Sequence, residues 1–138
     1  MVTTDGEIAE HLSAVYDELV ELIGETKQAA WTASSERRQV FHEFWAFLAE
    51  QVVMVDDAAL RLGGRASSVT SPTAHRPRNI AAAAGGDPQR LVELLAVEVR
   101  HVVEDVRHRV PTVDGEVRTL LSDMAEQIDR HVELMRHE

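Results

Sequence analysis

Four long stretches of the chain repeat apolar residues at spacings of three and four. They start near Ile8, Phe41, Leu91 and Val117. This spacing places the apolar side chains on one side of an α-helix, and that side has to be buried against another element. The sequence contains no convincing β-strand pattern. Because 138 residues are enough for one well-buried core and too few for two ordinary domains, the pattern predicts one all-α domain covering residues 1–138.

Several residues mark where the predicted helices begin and end. Thr4 and Glu7 have the spacing of a capping box at the start of the first helix. Asp87 and Pro88 are typical of an N-cap and the first position of the third helix. Pro111 ends that helix, because proline has no backbone N–H to donate. The second helix is predicted at about residues 36–62.

The connections between these helices are short, long and short. The turn near Ser34 and the link at residues 112–115 are short, so the helices that they join should be antiparallel neighbours. Residues 63–86 are rich in Gly, Ser and Pro, start with a glycine pair that ends the second helix, and are expected to hold a short helical turn. This order predicts a ferritin-like four-helix bundle with a long crossover between helices two and three, which then run parallel.

The second helix has two faces of interest. At 100° per residue, His42, Ala46, Ala49, Val53 and Asp57 lie together, roughly 120° away from its main apolar stripe. A second, partly apolar face on a bundle helix indicates that another chain covers it. The third helix carries Glu98, His101, Asp105 and His108 on one side, and we interpret them as a solvated or intersubunit face.

Composition limits the function classes. The formal net charge is −10 and there is no cysteine, so thiolate metal sites and disulfides are excluded. The first 26 residues contain no Lys or Arg, and an acidic chain without a basic arm repels DNA and anionic membranes. No segment has the pattern of a signal peptide or membrane helix. We therefore expect a soluble cytoplasmic protein that does not bind DNA.

The order of several motifs resembles the Dps mini-ferritins, the DNA-binding proteins from starved cells. The motifs are KQAAW at residues 27–31, FHEF at 41–44, DDAALRLGG at 56–64 with a Ser/Thr/Pro-rich segment after it, and the last 28 residues. The resemblance implies a hollow homo-oligomer, a dodecamer, that oxidises Fe(II), stores ferric mineral and often shields DNA. It also implies an iron centre between two subunits, which fits the second face of helix two.

The residues that the resemblance implies as iron ligands are only partly present. Ala30 stands where the family has a histidine, and Val53 and Asp57 stand where it has an aspartate and a glutamate. His42 matches the histidine of helix two, which puts Ala46 at the position of the next acid. The chain is, however, about four residues shorter than the family pattern between Trp31 and Gly63. If these residues are missing from the first turn, His42 takes the acid position and Arg38 the histidine position. The expected metal ligands are therefore His42 and Asp57.

These departures lead to two hypotheses. The first is a Dps-like protein that sequesters or stores iron, or protects against stress, in a hollow oligomer with a degraded intersubunit ferroxidase centre. The alternative is a non-catalytic helical scaffold or interaction module, a dimer or a cage, without iron chemistry. Ferroxidase activity is implied by the family, but the substituted ligands leave it weak or lost.

Overall fold

A computed structural model describes residues 4–33, 35–62 and 80–137 of the chain. The described residues form five α-helices, with one turn of 3₁₀ helix at Val110–Thr112 between the last two. The helices are α1 (Asp5–Thr32), α2 (Ser35–Arg61), α3 (Ile80–Ala84), α4 (Pro88–Arg109) and α5 (Gly115–His137). No strand occurs among these residues, so the prediction of an all-α protein is confirmed at the level of class.

The helix ends use the residues that the sequence indicated. The Thr4 hydroxyl accepts a hydrogen bond from the Glu7 backbone N–H at 3.2 Å, and the Asp87 carboxylate accepts one from the Gln89 N–H at 3.0 Å. Both bonds satisfy N–H groups that have no partner within the helix. Pro88 occupies the first turn of α4. The predicted stop at Gly63-Gly64 lies outside the described residues.

The four long helices pack so that each has two neighbours. α1 packs against α2 and α4, and α5 packs against the same two helices. Contacts between side chains give the directions: Lys27 lies over the ring of Trp45, and His11, near the start of α1, contacts Arg109 at the end of α4. Arg61 at the end of α2 pairs with Glu116 near the start of α5. Between α4 and α5, Arg107 pairs with Asp129 and the earlier Arg100 with the later Glu133. Each neighbouring pair is therefore antiparallel.

The apolar stripes meet in one continuous core. α1 contributes residues of the predicted stripe from Ile8 to Leu22, and α2 contributes Phe41, Phe44 and Leu48. Trp45 follows the apolar spacing of Phe41 and Leu48 but is only half-buried, because it sits at the edge where α1 and α2 meet. No helix within the described residues is long and apolar enough to span a membrane.

Candidate functional site: the outer face of α2 and the groove between α1 and α4

The outer face of α2 is not covered by the rest of the chain. Ala46 is exposed, Ala49 is half-buried, and Val53 is 68% exposed. These three residues form an uncharged strip along the helix, because their spacings of three and four keep them on one side. His42 lies at one end of this strip and Asp57 at the other, as the sequence pattern predicted. Both side chains are exposed.

His42 lies in a depression of about 340 Å³ that we name the tryptophan pocket. Its ring stacks on Trp45, with centroids 5.4 Å apart and planes inclined by 27°. The residues that line the pocket are Ala30, Trp31, Arg38, His42 and Trp45. Trp31 is 84% exposed, an unusual state for an indole. α1 positions Ala30 and Trp31, and α2 positions the others at helical spacings of four and three.

The tryptophan pocket is cationic. The Lys27 ammonium lies 4.4 Å from the centre of the Trp45 ring, a cation–π distance. Arg38 is exposed at the pocket wall, one helical turn before His42. None of the described lining residues carries a carboxylate. This arrangement disfavours a divalent cation at His42, because two neighbouring positive charges repel it.

Asp57 is held by arginine at the other end of α2. Arg61 Nη2 lies 2.5 Å from Asp57 Oδ2, and Arg61 Nη1 lies 3.3 Å from Glu116 Oε2 of α5. The hydrogen bond and charge of Asp57 raise the pKa of Arg61 above its ordinary value. These side chains surround an open depression of about 380 Å³. Asp57 is therefore already paired with a cation.

The two predicted ligands do not come together within one chain. His42 and Asp57 are fifteen residues apart on one straight helix, which separates them by about 22 Å along its axis. Within residues 4–33, 35–62 and 80–137, no three His, Cys, Asp or Glu side chains are grouped as metal ligands. Iron requires several oxygen and imidazole ligands in fixed geometry. The residues present in one chain do not fit such a centre.

A second site lies on the opposite side of α1. Its lining includes four acids that the sequence did not bring together, Glu18, Glu21 and Glu25 of α1 and Glu98 of α4, and we name it the acidic groove. His101 and Asp105 of α4 complete its polar lining, and its volume is about 260 Å³. From the sequence alone, this side of α4 is interpreted as solvated or intersubunit. In the structure, Glu98 and Asp105 are half-buried and face α1, whereas His101 and His108 are exposed.

Two carboxyl groups of the acidic groove share a proton. Burial, the hydrogen bond to Asp105 and repulsion from that carboxylate raise the pKa of Glu18 to about 9. Glu18 is therefore protonated at neutral pH and donates to Asp105, and this bond, with that from Arg109, holds the pKa of Asp105 below its ordinary value. Arg109 Nε lies 2.8 Å from Asp105 Oδ2. The pair carries one negative charge rather than two.

Arg109 extends this network to the start of α1. Its Nη1 lies 2.9 Å from His11 Nδ1, and Thr112 Oγ1 lies 3.2 Å from His11 Nε2. Because a guanidinium only donates hydrogen bonds, His11 Nδ1 accepts this one. The sequence gave no indication of these partners, since His11 and Arg109 are 98 positions apart.

Comparisons with known proteins do not assign the chain to a family. A scan against protein-family models finds no match, and a search of curated protein sequences finds no significant relative. The class that the described residues define is an all-helical bundle with an uncovered face on α2.

Proposed function

We propose that the chain is a Dps-like, ferritin-like bundle that self-associates through the outer face of α2 and sequesters iron in the resulting oligomer without a complete ferroxidase centre. The observation that carries the proposal is the exposed, uncharged strip of Ala46, Ala49 and Val53. The strip lies between a basic end with Arg38 and His42 and an acidic end with Asp57.

A second copy of the chain fits this face. If two α2 helices pack antiparallel, the strip of one copy meets the strip of the other. Arg38 and His42 then approach Asp57 of the partner subunit, so that opposite charges meet at both ends. Small side chains such as Ala46 and Ala49 allow the two helices to approach closely. This pairing buries Val53, which in one chain is exposed to water at a cost of about 1 kcal/mol.

The directions of the helices support the ferritin-like arrangement. α2 and α4 are both antiparallel to α1, so they run in the same direction. A chain that joins two parallel helices has to return along the length of the bundle, as the crossover of a ferritin-like fold does. The first part of the predicted crossover, residues 63–79, lies outside the described residues, and its last part contains α3.

The mass of the protein in solution tests the self-association. We expect light scattering to give a multiple of the 15.4 kDa chain mass for the unmodified protein, and Val53→Glu to reduce it to one chain by placing charge in the strip. Val97→Glu is the matched control, since Val97 is 45% exposed on α4, and it should leave the mass unchanged. A monomeric unmodified protein would refute the proposal.

Iron uptake is tested separately from assembly. After aerobic incubation with Fe(II) and gel filtration, we expect iron to elute with the oligomer while the rate of Fe(II) oxidation stays close to that of buffer. Iron that elutes only with small molecules would refute sequestration. A fast oxidation that disappears in His42→Ala would show that the intersubunit centre is complete after all.

The second candidate is a helical scaffold without iron chemistry, assembled through the same face. It is favoured by the cationic neighbours of both predicted ligands, Arg38 near His42 and Arg61 on Asp57. In an antiparallel pair of α2 helices, these arginines approach the same site as the two ligands. An oligomer that retains no iron would establish this candidate.

A further inference from the structure

We propose that the tryptophan pocket binds a flat aromatic ligand that carries an anionic group such as a phosphate. The proposal goes beyond self-association and does not depend on it, because all the side chains that it uses come from one chain. In the Dps family, the resemblance implies an iron cation at this place, whereas we propose an anionic ligand.

The aromatic part of the pocket is accessible to a ligand. Trp45 is half-buried and already contacts Lys27 and His42, so its ring is held in place. Trp31 is 84% exposed on the facing helix. An exposed indole beside a depression offers a flat surface on which a planar ring can stack.

The charge of the pocket selects an anion. Arg38 and His42 line the pocket, the Lys27 ammonium lies over the Trp45 ring, and none of the described lining residues is acidic. The charge around the pocket is therefore positive, although the formal net charge of the whole chain is −10. Arg38 is suited to a phosphate in particular, because a planar guanidinium can donate two parallel hydrogen bonds to it.

The size of the pocket fits a small ligand. Its volume of about 340 Å³ lies within the usual range for small-molecule sites, about 300 to 1,000 Å³. The nearby uncharged strip of α2 belongs to the proposed self-association face. A ligand on Arg38 and His42 would therefore compete with Asp57 of the partner subunit for the same side chains.

Flavin mononucleotide and riboflavin are suitable probes, because they share one ring system and differ in a single phosphate. Binding is followed through flavin fluorescence excited by visible light, which the protein does not absorb. The Val53→Glu variant is used beside the unmodified chain, so that failure of the pocket and failure of self-association give different results. We expect saturable binding of flavin mononucleotide to the unmodified chain and to Val53→Glu. Riboflavin should bind roughly fivefold more weakly at low salt, and the difference between the two flavins should be smaller at high salt.

Two pocket variants and one control identify the site. Trp31→Ala should weaken binding of flavin mononucleotide about tenfold through loss of stacking, and Arg38→Gln should remove its preference over riboflavin. Arg130→Gln is the control, because Arg130 is an exposed arginine of α5 paired with Glu126, and it should change neither. Circular dichroism verifies that each variant is folded. Absence of saturable binding to either form, or equal binding to the Trp31→Ala variant, would overturn the proposal.

Discussion

The two sides of α1 have opposite chemistry. Towards α2, Trp31 borders a pocket in which two of the five lining residues are tryptophans and a third is Arg38, and Lys27 lies over the ring of Trp45. Towards α4, Glu18 and Glu25 border a groove in which His101 is the only basic lining residue among those described. α1 thus separates a pocket that contains two indoles and an arginine from a groove lined mainly by acids.

This difference shows that a count of charges does not locate a metal site. The acids are numerous in the groove, but Glu18 is protonated, Asp105 binds Arg109, and Glu25 is only 1% exposed. The predicted ligand His42 lies instead on the cationic side. The groove is a structural contact between α1 and α4, and the pocket is a surface for another molecule. The predictions below test this contrast.

The largest expected effect is that of removing the cation from the acidic groove. Arg109→Ala leaves Asp105 and Glu18 without their guanidinium and His11 without its donor, so we expect it to lower the free energy of unfolding by about 2 kcal/mol. Arg130→Ala, in an exposed i,i+4 pair, should cost less than about 0.5 kcal/mol. Urea denaturation measures both. Equal effects would mean that the groove does not hold α1 to α4.

A second prediction concerns the proton on Glu18. In the unfolded chain this carboxyl group ionises near its ordinary pKa of 4.5, whereas in the folded chain it stays protonated up to about 9. Its contribution to stability is therefore complete below about pH 4.5 and decreases as the pH rises towards 9. The lowered pKa of Asp105 has the opposite effect, because its contribution is present at neutral pH and is lost in acid.

Glu18→Gln keeps a neutral donor that cannot ionise. We expect it to raise the free energy of unfolding at pH 8 by about 1 to 2 kcal/mol relative to the unmodified protein, and to change little at pH 5. Glu18→Ala removes the donor as well and should destabilise at pH 5. Urea denaturation at the two pH values distinguishes the variants. A Glu18→Gln effect that is the same at both pH values would show that the proton is not shared as described.

The sequence predicted the parts of the fold that depend on local periodicity and capping. Thr4 caps α1, Asp87 caps α4, and the apolar stripes are buried, because these features depend on residues within a few positions of one another. The exposed face of α2 was predicted for the same reason. The local pattern did not predict which side chains of two different helices contact each other.

The features that the sequence did not predict depend on which helix faces which. The bond between His11 and Arg109 joins residues 98 positions apart in the chain, and neither residue has a pattern that marks the other. The position of Arg38 beside two tryptophans likewise follows from the way α1 and α2 meet. His42 and Asp57 were correctly placed on one face, but their arginine neighbours change what that face can bind.

The smallest expected effect separates the two tryptophans. Trp45→Ala removes a half-buried ring that contacts Lys27 and His42, so we expect a loss of about 1 kcal/mol in the free energy of unfolding. Trp31→Ala should change it by less than about 0.5 kcal/mol, because the ring is 84% exposed and does little packing. Both are measured by thermal unfolding in the Val53→Glu background, where self-association does not contribute. If Trp31→Ala costs as much as Trp45→Ala there, Trp31 stabilises its own chain, and its exposure is not a sign of a ligand.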